Sequence, residues 1–123
     1  DYDALRRDVE DALAAGRTVI ADATFLRRAD RDAVATVARR RGGRVLFVET
    51  VAAPETVRAR LAARTAADVS DARFDTYLAQ AAERDPWGGD EAHVTVATDG
   101  APGAGCAAAL GALFAWRTAD GAI

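Results

Sequence analysis

Helical and extended patterns alternate along this chain, and this alternation constrains its fold more than any other feature. Leu5, Val9 and Leu13 recur every fourth residue before Gly16, which predicts a helix over about 3–15. Short apolar runs rich in β-branched residues predict three buried strands, at 18–21, 45–48 and 94–97. Further helices are predicted over about 29–41, from Pro54 to about 64, from Ser70 or Asp71 to just before Pro86, and over 104–116. The order predicts an α/β fold with three layers around a mostly parallel, doubly wound sheet.

Composition limits the classes of partner. The chain has 123 residues and a net charge of −3, which predicts one domain without the basic face that duplex DNA demands, so we expect no nucleic-acid partner. No apolar run approaches a membrane span and no signal-peptide pattern opens the chain, so we expect a cytoplasmic protein with no membrane partner. The chain has one histidine, His93, and one cysteine, and no metal-ligand spacing of these residue types occurs, so we expect no metal site built from this chain.

The most informative segment for function runs from Thr18 to Arg31. Its apolar run ends in the carboxylate of Asp22 and the hydroxyl of Thr24, and arginines follow at the start of the next predicted helix. Parallel α/β sheets place their anion and ligand sites at the carboxyl ends of such strands. Arg28 and Arg31 share one helical face, although they could instead pair with Asp30 and Asp32 at a solvated surface.

Two further stretches invite a functional interpretation. Arg60 and Arg64 lie one helical turn apart just before a predicted loop over 65–70, so both guanidinium groups can reach the same side; the alternative is an ordinary exposed helix. The run GAPGAGCA at 100–107 has the glycine spacing of a phosphate loop. Cys106, however, stands where that loop needs its lysine, which favours a simple turn between the last strand and helix.

Three segments of the sequence together resemble one protein family. GRTVIADATFLRRADRDAV, RVLFVETVAAPETVRARLAAR and DVSDARFDTYLAQ resemble, in order and spacing, the P-loop kinase-like ATPases that include gluconate kinases and polynucleotide-kinase-like proteins. The likeness is strongest to small kinase domains that are often fused to aminoglycoside-phosphotransferase-like domains in bacteria. It covers about residues 2–87, and the last strand and helix more loosely. The resemblance implies a sheet of the P-loop NTPase type.

The resemblance also implies roles for the residues already singled out. Asp22 would lie near the water shell of Mg²⁺ or the acceptor hydroxyl and act in catalysis, and Thr24 would contact the substrate. Arg28 and Arg31 would bind the acceptor, a small molecule with a hydroxyl group. The implied cofactors are ATP and Mg²⁺.

The second pair of arginines would serve the nucleotide. By resemblance, residues 58–84 form a lid, in which Arg60 lies over the adenine or the phosphates of ATP. Arg64 would bind the cofactor as well and act in catalysis, neutralising charge on the transferring phosphoryl group.

The family's phosphate loop has no counterpart here. All 16 basic residues are arginine, and a chain without lysine cannot contain the sequence GxxxxGK[ST]. In the resembling fold the phosphate-loop strand is central, between the strand that ends at Asp22 and the strand at 45–48, so an incomplete sheet of three strands is predicted. We therefore expect the chain to be the C-terminal portion of a kinase-like domain whose natural protein extends before Asp1 or is joined by a fused domain.

Two functions follow from these observations. The first is part of an ATP-dependent kinase or ATPase that transfers the γ-phosphoryl group to a small-molecule hydroxyl, with this chain inactive on its own. The second is a non-catalytic α/β module, a degenerate kinase that binds a polyol, sugar or nucleotide without turnover. A polynucleotide 5′-hydroxyl kinase is disfavoured, because the chain is acidic and no aromatic residues are interleaved with the arginines.

Overall fold

The computed structural model describes residues 1–119, and these form an α/β arrangement with two parallel strands and five helices. In chain order the elements are α1 (Tyr2–Ala14), α2 (Arg28–Arg40), β1 (Phe47–Val51), α3 (Pro54–Arg64), α4 (Ala67–Glu83), β2 (His93–Ala97) and α5 (Pro102–Ala119). The predicted α/β class and the parallel sheet are confirmed. No helix within residues 1–119 combines the length and the apolar character needed to cross a membrane.

The predicted strand at 18–21 is wrong. This segment is neither helix nor strand, and the Ile20 side chain is 95% exposed. A β-strand exists only when a neighbouring strand receives its backbone hydrogen bonds, and within residues 1–119 β1 and β2 pair with each other in a two-stranded sheet. The described sheet therefore has two strands, one fewer than predicted, and an apolar β-branched run did not suffice to form the third.

One compact unit comprises residues 1–45 and 83–88. In it α1 and α2 pack together around an apolar core, whose buried members are Val9, Phe25, Val34, Val37 and Ala38. Each helix is followed by a glycine with positive φ, 77° at Gly16 and 74° at Gly42. Such a backbone conformation reverses the chain at a helix end at little cost only where no Cβ is present.

The second unit comprises residues 46–82 and the described residues from 89 onward. Its parallel strands pair in register from Phe47↔His93 to Val51↔Ala97, and α5 packs against β2. Because parallel strands end at the same edge, the residues that follow Val51 and Ala97 lie together at the carboxyl edge of the sheet.

The start of α4 differs from the prediction that Ser70 or Asp71 would cap it. The helix already begins at Ala67, and the Ser70 N–H donates to the carbonyl of Ala66 at 2.8 Å in a helical hydrogen bond. Ser70 and Phe74 are the buried residues of α4. A serine can cap a helix only where its hydroxyl reaches an unpaired N–H group in the first turn, and Ser70 lies beyond that position.

Candidate functional site

Asp22 and Thr24 lie on an exposed segment between α1 and α2 that has no regular secondary structure. The hydroxyl of Thr24 is 3.2 Å from the phenolic oxygen of Tyr2. The Asp22 carboxylate and the Thr24 side chain are thus accessible to a ligand, as the predicted roles require. Those roles themselves stay predictions.

Arg28 is the first residue of α2, and both its backbone and its side chain have protein partners. The backbone N–H donates to Oδ2 of Asp85 at 2.7 Å, so a residue 57 positions away caps this helix. The guanidinium Nε donates to Oδ1 of Asp32 at 2.8 Å, which is the surface pairing considered as the alternative for this arginine. The side chain is half-buried, with 34% of its area exposed.

Arg31 is fully buried, with an exposed fraction of 0%. Its NH1 donates to the carbonyls of Phe25 at 3.1 Å and Asp85 at 3.3 Å, and its NH2 donates to the carbonyl of Pro86 at 2.9 Å. The guanidinium carbon lies 4.4 Å from the centre of the Trp87 ring, a cation–π contact. These contacts occupy the buried guanidinium of Arg31. It is therefore not accessible to a substrate in this geometry, as the predicted contact would require.

Phe25 has a backbone conformation that is rare for a residue with a side chain, with φ at 45°. Hydrogen bonds fix both of its backbone polar groups. The N–H donates to the Tyr2 phenol at 2.9 Å, and the carbonyl accepts from NH1 of Arg31 and, at 3.2 Å, from NH1 of Arg84. Arg84 also donates to the carbonyl of Thr24 at 2.9 Å. Sequence reasoning missed Tyr2 and Arg84, since nothing in the local pattern of either residue shows that it reaches a segment more than 20 positions away.

At the carboxyl edge of the sheet, Arg60 of α3 contacts Thr98, which directly follows β2. The guanidinium donates to the Thr98 hydroxyl at 3.2 Å and to the Thr98 carbonyl. Arg64, one turn later, is exposed and donates through Nε to the carbonyl of Arg60 at 3.3 Å. Of the two arginines expected to serve the nucleotide, Arg60 is engaged by the protein and Arg64 presents its guanidinium to solvent.

Asp99 is a second residue of this edge that the sequence did not reveal. Its Oδ1 accepts the backbone N–H of Ala53 at 2.8 Å, at the residue that precedes α3. This hydrogen bond, followed by that from the Thr56 side chain and by the charge of Arg60, lowers the pKa of the Asp99 carboxyl below its ordinary value of 3.8, although desolvation opposes the shift. Asp99 therefore stabilises the start of α3 as an anion.

The glycine-rich run 100–107 is a turn followed by helix. Helix α5 begins at Pro102, so Gly103 and Gly105 belong to the helix, and the Ala104 N–H donates to the carbonyl of Ala101 at 3.0 Å. Because the run forms a turn and the first turn of a helix, it is not a loop wrapped around a phosphate. The preferred interpretation of this run, a terminal strand, a turn and the last helix, is confirmed.

Within residues 1–119, no group of three or more histidine, cysteine, aspartate or glutamate side chains is arranged to hold a metal ion.

Comparison with known proteins identifies the family. A protein-family model described as an AAA domain matches residues 2–84, about two thirds of the chain. No curated protein and no solved structure matches the sequence. The matched range includes α1, the 22–28 segment, α2, β1, α3 and α4, and it ends at the arginine that holds the carbonyls of Thr24 and Phe25. The chain belongs to this AAA domain family, a family of nucleotide-binding domains of the P-loop NTPase type.

Proposed function

We propose that this chain is part of an ATP-dependent kinase or ATPase that transfers the γ-phosphoryl group of ATP to a hydroxyl of a small molecule in the cytoplasm, and that the chain alone is inactive. The observation that carries this proposal is the family match over residues 2–84 in a sequence without any lysine. The family supplies the nucleotide chemistry. The missing lysine removes the cation that a phosphate loop places on the β- and γ-phosphates.

The groups of this chain do not suffice to hold a triphosphate. Arg60 is engaged with Thr98, the glycines of 100–107 lie in a turn and a helix, and Arg64 is exposed at the end of α3. A triphosphate needs several cations and converging amide groups. We propose that a phosphate loop outside these residues supplies them.

The chain's own part in the reaction would be to bind and orient the acceptor. Asp22 would accept the proton of the acceptor hydroxyl, and the Thr24 hydroxyl would hydrogen-bond the substrate. Arg28 would contact an acidic or hydroxyl group of the acceptor from the start of α2, with Arg31 buried behind it as structural support. Arg64 would neutralise charge that develops on the transferring group. A small acceptor is favoured over a nucleic acid because the net charge of the chain is −3.

The exposed apolar run at 18–21 supports the proposal that a further strand completes the sheet. Ile20 is 95% exposed although the run 18–21 is mostly apolar and rich in β-branched residues, a composition typical of buried parallel strands. A strand contributed by an additional N-terminal segment or by a fused domain would give this run the partner that it lacks among the described residues.

The alternative is a non-catalytic binding module. It is favoured by the engagement of Arg31 and Arg60 with protein carbonyls, which leaves fewer free cations than a phosphotransferase needs. Under this alternative the exposed Asp22 and Thr24 side chains would bind a polyol, sugar or nucleotide without turnover.

Calorimetric titration of this chain with Mg·ATP tests the proposal, with Arg64→Ala as the probe and Arg73→Ala, an exposed arginine of α4, as the matched control. We expect no measurable heat of binding for the chain and both variants, and no release of phosphate. Binding that Arg64→Ala abolishes and Arg73→Ala preserves would overturn the claim that this chain cannot hold the nucleotide alone. Binding without turnover would favour the non-catalytic module.

A further inference from the structure

We propose that Arg84 is a positioning residue for the exposed segment 22–24: together with Tyr2 it locks Phe25 in its left-handed conformation and so orients the Thr24 hydroxyl and the Asp22 carboxylate before a ligand arrives. The inference rests on the proposed function only where it takes these two side chains as the groups that meet the acceptor. The ligand class is a molecule with hydroxyl groups, such as a polyol, because a hydroxyl and a carboxylate offer complementary donors and acceptors to it.

The backbone of Phe25 is strained. A positive φ of 45° brings the Cβ of an aromatic residue close to its own backbone, and such residues persist only where their surroundings hold them. Phe25 is buried, and its ring lies 5.5 Å from that of Tyr2. The conformation is therefore imposed by tertiary contacts.

Tyr2 and Arg84 hold the backbone around Phe25 by hydrogen bonds. Tyr2 accepts the Phe25 N–H at 2.9 Å, while Arg84 donates to the carbonyls of Thr24 at 2.9 Å and Phe25 at 3.2 Å. The planar guanidinium spans two consecutive carbonyls with two donors in a fixed geometry, which a single ammonium group does not reproduce. Arg84 consequently sets the orientation of the peptide group that joins Thr24 to Phe25.

One of these partners, Tyr2, also contacts a side chain of the candidate site. The phenolic oxygen that holds the Phe25 N–H also lies 3.2 Å from the Thr24 hydroxyl. The backbone and the side chain of Thr24 are thus fixed from two sides, by Arg84 at its carbonyl and by Tyr2 at its hydroxyl. Asp22 lies two residues earlier on the same segment, and we expect its carboxylate to be less well oriented once Arg84 no longer holds the carbonyls of Thr24 and Phe25.

Amide hydrogen exchange resolved by NMR tests the proposal on the chain itself. Arg84→Ala is expected to accelerate exchange of the Phe25 amide at least tenfold, while the amides in the middle of α1 and α2 keep their rates. Arg84→Lys is expected to give an intermediate rate, since one ammonium nitrogen replaces the two guanidinium nitrogens that span the two carbonyls. Arg73→Ala, the exposed arginine of α4, is the control and is expected to leave the Phe25 rate unchanged.

A second readout separates positioning from general stability. The γ-methyl signal of Thr24 reports its side-chain rotamer, and we expect Arg84→Ala to move it towards the averaged value of a free threonine. In a Phe25→Gly background, where glycine adopts a positive φ without strain, Arg84→Ala is expected to accelerate exchange at residues 24–26 much less.

Two results would overturn the inference. One is an unchanged Phe25 amide rate and Thr24 methyl signal in Arg84→Ala. The other is a uniform acceleration throughout α1 and α2, which would make Arg84 only a general stabiliser; if Arg84→Ala fails to fold, the same criteria apply to Arg84→Lys. None of these readouts uses nucleotide, so a failure of the proposed ATP-dependent function would appear in the calorimetric titration alone.

Discussion

The phenolic oxygen of Tyr2 accepts the backbone N–H of Phe25 at 2.9 Å and thereby holds, from the first turn of α1, a residue 23 positions away. The carbonyl of the same residue accepts hydrogen bonds from Arg31 and Arg84. Residues from the beginning, the middle and the end of the matched family range therefore converge on one strained residue. These hydrogen bonds hold in place the segment that carries Asp22 and Thr24.

Removal of Arg31 is expected to destabilise the protein strongly. In Arg31→Ala the carbonyls of Phe25, Asp85 and Pro86 lose a charged donor while they remain partly or fully buried, and we expect a loss of about 3 kcal/mol in the free energy of unfolding. Urea unfolding followed by circular dichroism measures this loss. Arg40→Ala, at an exposed position of the same helix, is the control and is expected to cost less than about 0.5 kcal/mol. Equal effects of the two substitutions would refute the structural role of Arg31.

Asp99 is expected to make stability depend on pH in the acidic range. Its pKa in the folded state lies below the ordinary value of 3.8, so its contribution to stability is complete above that value and is lost as the pH falls through the lowered pKa. Asp99→Asn removes the charge. The difference in unfolding free energy between the natural chain and this variant should be constant near neutral pH and should shrink below about pH 4. Asp75→Asn removes an exposed carboxylate of α4 and serves as the control; a difference that grows on acidification would contradict the assignment.

Gly42 is expected to tolerate a side chain poorly even though space is available. No atom lies within 4 Å of a Cβ added there, but its φ of 74° is unfavourable for any residue with a Cβ. Gly42→Ala should therefore lower the free energy of unfolding by about 1 kcal/mol through backbone strain alone. Gly89 has equally open surroundings and no positive φ, so Gly89→Ala is the matched control. Thermal unfolding of the two variants gives the comparison, and equal midpoints would show that the end of α2 does not need a left-handed residue.

Substitution of Ile20 by a polar residue is expected to leave the stability of the protein nearly unchanged. Because the side chain is 95% exposed, Ile20→Thr should change the free energy of unfolding by less than about 0.5 kcal/mol. Val34→Thr places a hydroxyl in the core of the same unit and should cost about 2 kcal/mol. Chemical denaturation measures both values, and light scattering of concentrated samples should show less self-association for Ile20→Thr. A large destabilisation by Ile20→Thr would mean that this segment is buried in solution.

Local patterns accounted for most of the secondary structure. The helix predicted over about 3–15 is observed as Tyr2–Ala14, the one over about 29–41 as Arg28–Arg40, and the one that begins at Pro54 ends at Arg64 as predicted. These elements depend on interactions within a few residues, namely the apolar repeat of a helix, a proline in the first turn and a glycine after the last turn. The strand predicted at 94–97 was also found, as His93–Ala97, whereas the strand predicted at 45–48 begins and ends a few residues later, as Phe47–Val51.

The candidate site was predictable only in part. The sequence indicated Asp22, Thr24 and the paired arginines, and the structure leaves Asp22, Thr24 and Arg64 exposed. It could not indicate that Arg31 is buried beside Trp87 while Arg28, on the same helical face, stays half-exposed, because the segment 84–87 that covers Arg31 lies more than 50 residues further along the chain. Residues that act across such distances, such as Tyr2, Arg84 and Asp99, leave no local signal.

The sequence by itself determined the α/β class, most of the helices, and the absence of a lysine-bearing phosphate loop, since each depends on residue identity or on short-range spacing. Tertiary structure alone decided that the apolar run at 18–21 is not a strand, that Arg31 is a buried structural cation, and that Asp85 and Asp99 accept backbone N–H groups at the starts of helices far from them in sequence. The physical reason is common to all three. Strand pairing, burial of a charge and capping by a distant carboxylate each require a second segment of chain, and the fold determines which segment that is.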